Sequence, residues 1–274
     1  MMVKSMARGE SVKLKVVEAQ GCGNRFVIVD RLDEPIKEEL LGSIAVDLGR
    51  RFSTDSILLI TSSESADARM RVLEKDGTES DMCGNGIRCV AKYLIEKHGF
   101  DEELSIETNA GIREVKRDAK LFRVEMGIPV QDGKVWGRRM NVDGEAYTAY
   151  LVNSGEPHVI VFVEDVEKVD VDRIGRAIRN GFGKEGANAD FVQIIDPETI
   201  RIRTYERGVE GETPACGTGA TAAVVAAAET GRISQKETTV RCNGGNLRVS
   251  YLNGDATLEG PAELESPGTI TVNV

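Results

Sequence analysis

The sequence predicts an α+β fold of two pseudo-symmetric, homologous domains, each a mostly antiparallel sheet or barrel wrapped around a central helix. Three internal recurrences in the 274 residues predict it. Gly23-Asn24-Arg25-Phe26-Val27-Ile28-Val29 returns 132 residues later as Gly155-Glu156-Pro157-His158-Val159-Ile160-Val161. Cys83-Gly84-Asn85-Gly86 returns after 133 residues as Cys216-Gly217-Thr218-Gly219, and Ser105-Ile106-Glu107-Thr108-Asn109 after 134 as Thr239-Val240-Arg241-Cys242-Asn243. Chance accounts for one match between short strings. Three in order at nearly constant spacing mark a duplication. Arg71-Val72-Leu73-Glu74 and Arg203-Thr204-Tyr205-Glu206 add an echo, each ending a strand-like run on a glutamate.

Taken along the chain, residues up to about Glu10 read as a polar, loosely held extension. Short, often β-branched runs bounded by turn residues predict strands at Val27–Asp30, Ser56–Thr61, Arg69–Leu73, Leu104–Thr108 and Leu121–Met126. Helices are expected at Ile36–Arg51, Gly86–Lys97, Val171–Arg179 and Gly219–Thr230. The two that follow the cysteine motifs end at Gly99 and Gly231, where a helix C-terminus favours glycine. The polar, turn-rich stretch QDGKVWGRRMNVDG predicts the join near Asp132–Gly144. The halves are then 12–134 and 135–274, with 264–274 a candidate strand returning to the first half.

Composition narrows the function. Lys and Arg number 35 against 45 Asp and Glu, a net charge of −10, and the basic residues are scattered. Nucleic acid and anionic membrane are therefore poor partners, and a small molecule is the better one. No apolar run approaches the roughly 18 residues of a membrane span, and the first residues lack a secretion-type apolar core, so a cytoplasmic location is expected. Five cysteines, Cys22, Cys83, Cys89, Cys216 and Cys242, form an odd, irregular set that argues for thiols. Without a Cys-x-x-Cys, and with only His98 and His158, no metal site is expected.

A cysteine opening a helix sits beside unpaired backbone N–H groups and the positive end of the dipole, which favour thiolate. The glycines after it clear the helix mouth so that an anion such as a carboxylate can approach those donors. Two such mouths facing one cleft suit inversion of a stereocentre beside a carboxylate. One thiolate removes the α-proton, and the other cysteine returns a proton to the opposite face while backbone amides stabilise the developing charge. No cofactor is demanded. A single such cysteine would read as a packed residue; the matched pair favours chemistry. Cys89 reads as core. Cys22 and Cys242 read as packing, although Cys22 adjoins the Gly23-Asn24 loop near the cleft.

Met82-Cys83-Gly84-Asn85-Gly86-Ile87-Arg88-Cys89 and Glu206-Arg207-Gly208, followed by Glu212-Thr213-Pro214-Ala215-Cys216-Gly217-Thr218-Gly219, resemble the two cysteine signatures of the diaminopimelate epimerase family. Gly23-Asn24-x-Phe26-Val27 and Gly155-x-Pro157-His158 are similar to its other markers. The resemblance implies a cofactor-free isomerase that interconverts LL- and meso-diaminopimelate for lysine and cell-wall synthesis. It implies Cys83 and Cys216 as the acid/base pair and backbone donors at Gly84, Asn85, Gly217 and Thr218 for the reacting carboxylate. It also implies substrate contacts from Asn24, Asn188, Glu206 and Arg207, with Arg207 a fork for the distal carboxylate, and His158 and Glu206 as tuners of the cysteines.

Several residues depart from the family pattern. Glu74 stands where an asparagine usually contacts the distal end of the substrate, Glu156 where asparagine is common, and Arg25 in place of an aspartate. The glycine-rich loop before Leu58 is shortened to Phe52–Ser56. Glu74 would repel a distal carboxylate and favour a cationic tail unless Arg25 neutralises it. Racemisation of another amino acid, basic or proline-like, therefore stays open, as does a non-catalytic amino-acid-binding protein. A homodimer is compatible with the sequence.

Overall fold

The computed structural model describes residues 11–142, 144–183, 186–234 and 237–273. The polar N-terminal extension lies outside them. In the first half, strands Ser11–Gly21 and Asn24–Arg31 lead to helix α1 (Leu41–Arg51), strands Ser56–Thr61, Ala68–Glu74 and Glu79–Ser80, helix α2 (Gly84–Tyr93), and strands Glu103–Thr108, Gly111–Asp118 and Leu121–Gly127. The second half repeats the order. Strands Glu145–Asn153 and Pro157–Phe162 lead to α3 (Val171–Asn180), strands Asn188–Asp196, Thr199–Glu206 and Gly211–Thr213, α4 (Gly217–Glu229), and strands Glu237–Cys242, Gly245–Leu252 and Asp255–Pro261. Each half contains two parallel pairings, Asn24–Arg31 with Ser56–Thr61 and Ala68–Glu74 with Glu103–Thr108, or their equivalents. Its remaining pairings are antiparallel.

Helix α4, GTGATAAVVAAAE, offers small or apolar residues on every side and is buried from Gly217 to Ala228. An all-round apolar helix must lie at a centre. Helix α2 is likewise buried from Gly84 to Ala91, and both share one core with the inward faces of the strands. The buried parallel strands show why the layers form. In Ser56–Thr61, Ile57 and Leu59 pack toward α1 while Leu58 and Ile60 pack toward α2. In Pro157–Phe162, Val159 and Val161 join the α3 cluster and Ile160 the central one. Successive side chains alternate faces, so His158, two before Ile160, also points inward, as do Asn188 and Asp190 ahead of Val192.

The halves are stitched together. Asp255–Pro261 pairs antiparallel with Leu121–Gly127, and the last strand, Glu263–Asn273, runs antiparallel along Ser11–Gly21 from Ser11 opposite Asn273 to Gln20 opposite Glu263.

Some boundaries differ from expectation. Both central helices start two residues earlier than the pattern suggests, because Cys83 and Cys216 are themselves the N-caps: Gly86 N–H donates to Cys83 Sγ at 3.3 Å and Gly219 N–H to Cys216 Sγ at 3.4 Å. Helix α2 closes through a π turn, Leu94–His98, onto Gly99 at φ +72°. Helix α1 begins late, since the chain after Pro35 is still extended at Lys37 and then makes only a 3-10 turn, Glu38–Leu40. The join holds a strand as well as turns: Arg138–Val142 pairs with Glu145–Asn153. Its side chains are mostly exposed, so its polar sequence imitates a loop.

Candidate active site

The N-termini of α2 and α4 meet backbone to backbone. A Cβ on Gly84 would lie 3.1 Å from Gly217 Cα, and one on Gly217 would lie 3.0 Å from Gly84 Cα, with Leu258 crowding both. These glycines therefore serve the contact between the helices, a different use from the clearance for an anion that the sequence suggests. The contact brings Cys83 and Cys216 into one cavity, lined also by Asn24, Glu74, Asn85, Glu156, Asn188, Glu206, Arg207 and Thr218. The amides of Gly84, Asn85, Gly217 and Thr218 belong to the first helical turns, which provide them with no intrahelical acceptor. All four residues line this one cavity.

The second glycine of each motif makes room behind its cysteine, and here the halves differ. A Cβ on Gly86 would meet Leu58 at 2.9 Å, whereas one on Gly219 would meet Asp190 Oδ1 at 2.5 Å and the His158 ring at 3.1 Å. Cys83 has an apolar wall and Cys216 a polar one. His158, fully buried behind the cavity, has Nδ1 2.6 Å from Asp190 Oδ2 and Nε2 2.9 Å from Thr218 Oγ1. Thr218 Oγ1 lies 3.3 Å from Cys216 Sγ, and Nε2 itself is 4.0 Å from that sulfur. With Nδ1 against the carboxylate, the other ring nitrogen, Nε2, faces Thr218 and Cys216. Thr204 donates to the other oxygen of Asp190 at 2.7 Å, so the buried carboxylate is fully engaged.

Asp190 is absent from the sequence reading, which singles out only Asn188 in this segment. The available signal was alternation: Asn188, Asp190 and Val192 share one face of a strand whose other face carries Ala189 and Phe191. A carboxylate facing inward there needs a buried partner, and the parallel register sets His158 beside Asn188.

Electrostatics correct the expectation of thiolates. Burial pushes Cys83 up to about 12, with the charges of Glu206 and Glu74 adding and the Gly86 N–H opposing. Burial also raises Cys216 well above a normal thiol, helped by Glu206 and Asp190. At both sulfurs desolvation opposes the helix mouth and favours the thiol. Glu206 is raised to about 7, chiefly by burial, although Thr213 donates to it at 2.6 Å and the charge of His158 opposes the rise.

The outer end of the cavity is acidic. Glu74 accepts from Ser80 at 2.8 Å and Ser56 at 3.0 Å. Its carboxyl is raised mainly by burial, and further by the charges of Asp76 and Glu156. Arg25 does not neutralise it; that side chain is half exposed and pairs with Glu18 at 3.6 Å. Arg207 is ion-paired with Glu156, which also accepts from Asp81 N–H at 2.9 Å. The expected fork for a distal carboxylate is therefore already engaged. Asn188 Oδ1 accepts from Arg207 N–H at 2.8 Å.

Behind α2, the buried guanidinium of Arg88 donates to Asn85 Oδ1 at 2.8 Å and to Gly84 O at 2.9 Å. This orients Asn85 Nδ2 toward Asn24 Oδ1, at 2.6 Å, and Ala215 O, at 3.1 Å, across the two halves. Cys22 sits in this layer rather than in the cavity, at φ +52° and 3.8 Å from Arg88. Among the described residues, no group of three or more His, Cys, Asp or Glu side chains is placed to hold a metal ion, and no helix is long and apolar enough to cross a membrane.

The comparisons agree with this architecture. The family model described as diaminopimelate epimerase matches residues 16–131 and 150–264. A protein of Methanocella arvoryzae named diaminopimelate epimerase is 38% identical over 95% of this chain and 98% of its own length. Proteins of the same name from Archaeoglobus fulgidus and a Geobacillus species are 36% and 35% identical, over 96% and 92% of this chain and 98% and 96% of their own. Among solved structures, a hydroxyproline epimerase from Agrobacterium vitis superposes with a TM-score of 0.75 at 15% identity, covering 98% of this chain and 93% of that one. A PhzF-family phenazine biosynthesis protein of Bacillus anthracis gives 0.68 at 18%, covering 95% and 99%, so the fold is shared beyond recognisable sequence. With two cysteine-capped helices meeting over one cavity and a family match spanning both halves, this chain belongs to the diaminopimelate epimerase family.

Proposed function

We propose that this protein is an isomerase that interconverts LL- and meso-diaminopimelate, with Cys83 and Cys216 as the two bases and no cofactor. The observation that carries this reading is the backbone contact between Gly84 and Gly217, which sets two cysteine N-caps and four first-turn amides around one small volume. A substrate α-carboxylate held by those amides would place its α-carbon between the two sulfurs. One thiolate takes the α-proton, becoming a thiol; the electron pair spreads into the carboxylate under the amides; the opposite thiol gives its proton to the other face, becoming the thiolate. Atoms and charge balance, and the protonation states of the cysteines have exchanged. Amides aimed at developing charge are worth about 10²–10³ in rate each, so four of them supply much of what a weakly acidic α-proton requires.

Forming a thiolate from either raised thiol requires a trigger. Glu206 contributes to the rise of both cysteines, and a substrate ammonium beside it would cancel that contribution. Cys216 also has an outlet for its proton: Thr218 Oγ1 stands between Sγ and His158 Nε2, and Asp190 would stabilise the imidazolium formed. For the epimer whose α-proton faces Cys216 this route lets Cys216 start as the thiolate; the opposite epimer requires Cys83 to start in that state.

The test is proton exchange in D₂O with LL-diaminopimelate, following both deuterium incorporation at the α-carbon and stereochemistry. Cys83→Ala and Cys216→Ala should each lower epimerisation at least about 10³-fold, in line with removal of a general acid or base. A variant that retained full inversion would sink the two-base mechanism. Exchange in lysine or proline with none in diaminopimelate would replace the substrate, and no exchange in any amino acid would favour a binding protein.

A further inference from the structure

In each central helix, a side chain one turn further on grips the carbonyl of the first helical residue. Arg88 Nη1 donates to Gly84 O at 2.9 Å, and Thr221 Oγ1 donates to Gly217 O at 3.0 Å. The two grips are pseudo-twofold mates, since 84 to 217 and 88 to 221 are both steps of 133. Gly84 C=O and Asn85 N–H belong to one planar peptide unit, as do Gly217 C=O and Thr218 N–H, and among the described residues no peptide is cis. The two groups of such a unit point in opposite directions. A donor on the carbonyl therefore fixes the plane and polarises the unit, strengthening its N–H as a donor on the other side. Asn85 and Thr218 line the cavity, and the Asn85 N–H opposes the rise of the Cys83 thiol.

The mates differ in charge. Arg88 is fully buried, and its remaining contacts are Asn85 Oδ1 at 2.8 Å, Pro261 O at 3.2 Å and Cys22 Sγ at 3.8 Å. Among the described residues no carboxylate pairs with it. The chain makes room for it with glycines: a Cβ on Gly260 would lie 3.0 Å from the guanidinium carbon, and one on Gly21 would lie 3.5 Å from Nη2. A buried cation without a counter-ion is costly. Negative charge forming across the Gly84–Asn85 peptide, on a substrate carboxylate or on Cys83, offsets that cost. Thr221 brings only a neutral hydroxyl, and a charge-assisted bond is roughly twice as strong as a neutral one. The guanidinium thus belongs to the half whose cysteine has an apolar wall, and the hydroxyl to the half that has His158 and Asp190.

Resting on the proposed two-cysteine isomerase reading, we infer that Arg88 is a positioning residue of the reaction. Through the Gly84–Asn85 peptide it strengthens the Asn85 N–H toward the reacting carboxylate and toward the Cys83 thiolate. Thr221 does the same, more weakly, for the Thr218 N–H. The charge on the carboxylate is greatest in the transition state, so the effect falls on kcat more than on KM. Cys83 thereby gains a substitute for the outlet that Thr218 and His158 offer Cys216.

The experiment measures epimerisation of LL-diaminopimelate by Arg88→Met, Arg88→Lys and Thr221→Val. In parallel it follows, without substrate, the rates at which iodoacetamide alkylates Cys83 and Cys216, resolved by peptide mass spectrometry. Arg88→Met should lower kcat about 10- to 100-fold with KM changed by less than about threefold. It should also slow alkylation of Cys83 by at least about threefold and leave Cys216 unaffected, because the thiolate is the species that reacts. Arg88→Lys keeps the charge and should recover part of both losses. Thr221→Val should lower kcat about 2- to 10-fold, the worth of one neutral hydrogen bond, and leave Cys83 alkylation unchanged. An Arg88→Met protein with wild-type circular dichroism, wild-type kcat and wild-type Cys83 alkylation would overturn the assignment, as would a loss confined to KM. If Arg88→Met does not fold, Thr221→Val decides: an unchanged kcat overturns the route through the peptide, and a loss in kcat at constant KM supports it. The alkylation rates keep the two readings separate. Slowed Cys83 alkylation in Arg88→Met, in a protein that exchanges no α-proton, refutes the isomerase and supports the action of Arg88 on Cys83. An active wild type with unaltered variants does the reverse.

Discussion

At the scale of the residue, the site is governed by what burial does to charge. Glu206 is held to about pH 7, against an ordinary carboxyl near 4.5, because desolvation outweighs its hydrogen bonds. The sign follows from which state keeps the proton. Between about 4.5 and 7 the unfolded chain has released it and the folded one has not, so Glu206 costs stability increasingly as pH rises through that window and fully above it. Glu206→Gln should therefore stabilise the empty protein by roughly 1–3 kcal/mol at pH 8, with the gain vanishing below about pH 4.5. Urea unfolding at several pH values checks this, and a variant less stable than wild type at pH 8 would contradict it. Its activity should fall in the same preparation, because the ammonium loses a counter-charge. Cys83, Cys216 and Glu206 are legible in the sequence, since each is one of a repeated pair. Asp190 is not, since its position in the other half is Leu58 and the repeat gives no hint of an acid there.

At the scale of the element, the two cysteine-capped helices act as one object joined at a glycine pair. The sequence announces the helices and their closing glycines, but not the meeting of the first glycine of each motif with its counterpart. Repetition shows that small residues are needed, and only the crossing shows what they must avoid. Gly84→Ala or Gly217→Ala would force the helix mouths apart by pressing a methyl into the opposing backbone, at a cost of about 1–3 kcal/mol for such overpacking. The larger effect should be on rate. Displacing the paired amides should lower kcat by at least about 10²-fold, the worth of a single misplaced donor. Gly133→Ala, at a position with open space around it, provides the control and should leave both stability and rate near wild type. Equal rates in the Gly84 variant and this control would show that the crossing does not set the geometry of the amides.

At the scale of the whole molecule, the duplication visible in the sequence does not amount to two separable bodies. The strand pairing of Asp255–Pro261 with Leu121–Gly127 carries one sheet across both halves, and Glu263–Asn273 completes the first half from the end of the second. Both links run through segments outside the repeated motifs, and of the two only the returning strand is expected from the sequence. Deleting 263–274 should uncover Ser11–Gly21 along its length and make the first half, not only the second, sensitive to limited proteolysis. A truncated chain that unfolds as cooperatively as the full one would refute that coupling. The returning strand also imposes an order on the ribosome. The opening strand emerges early, and its neighbour is synthesised some 240 residues later, on the order of 10–50 s at 5–20 residues per second. Throughout that interval the nascent chain must keep an unpaired edge from joining its neighbours on the polysome, so synthesis of Glu263–Asn273 determines when that edge becomes safe from aggregation.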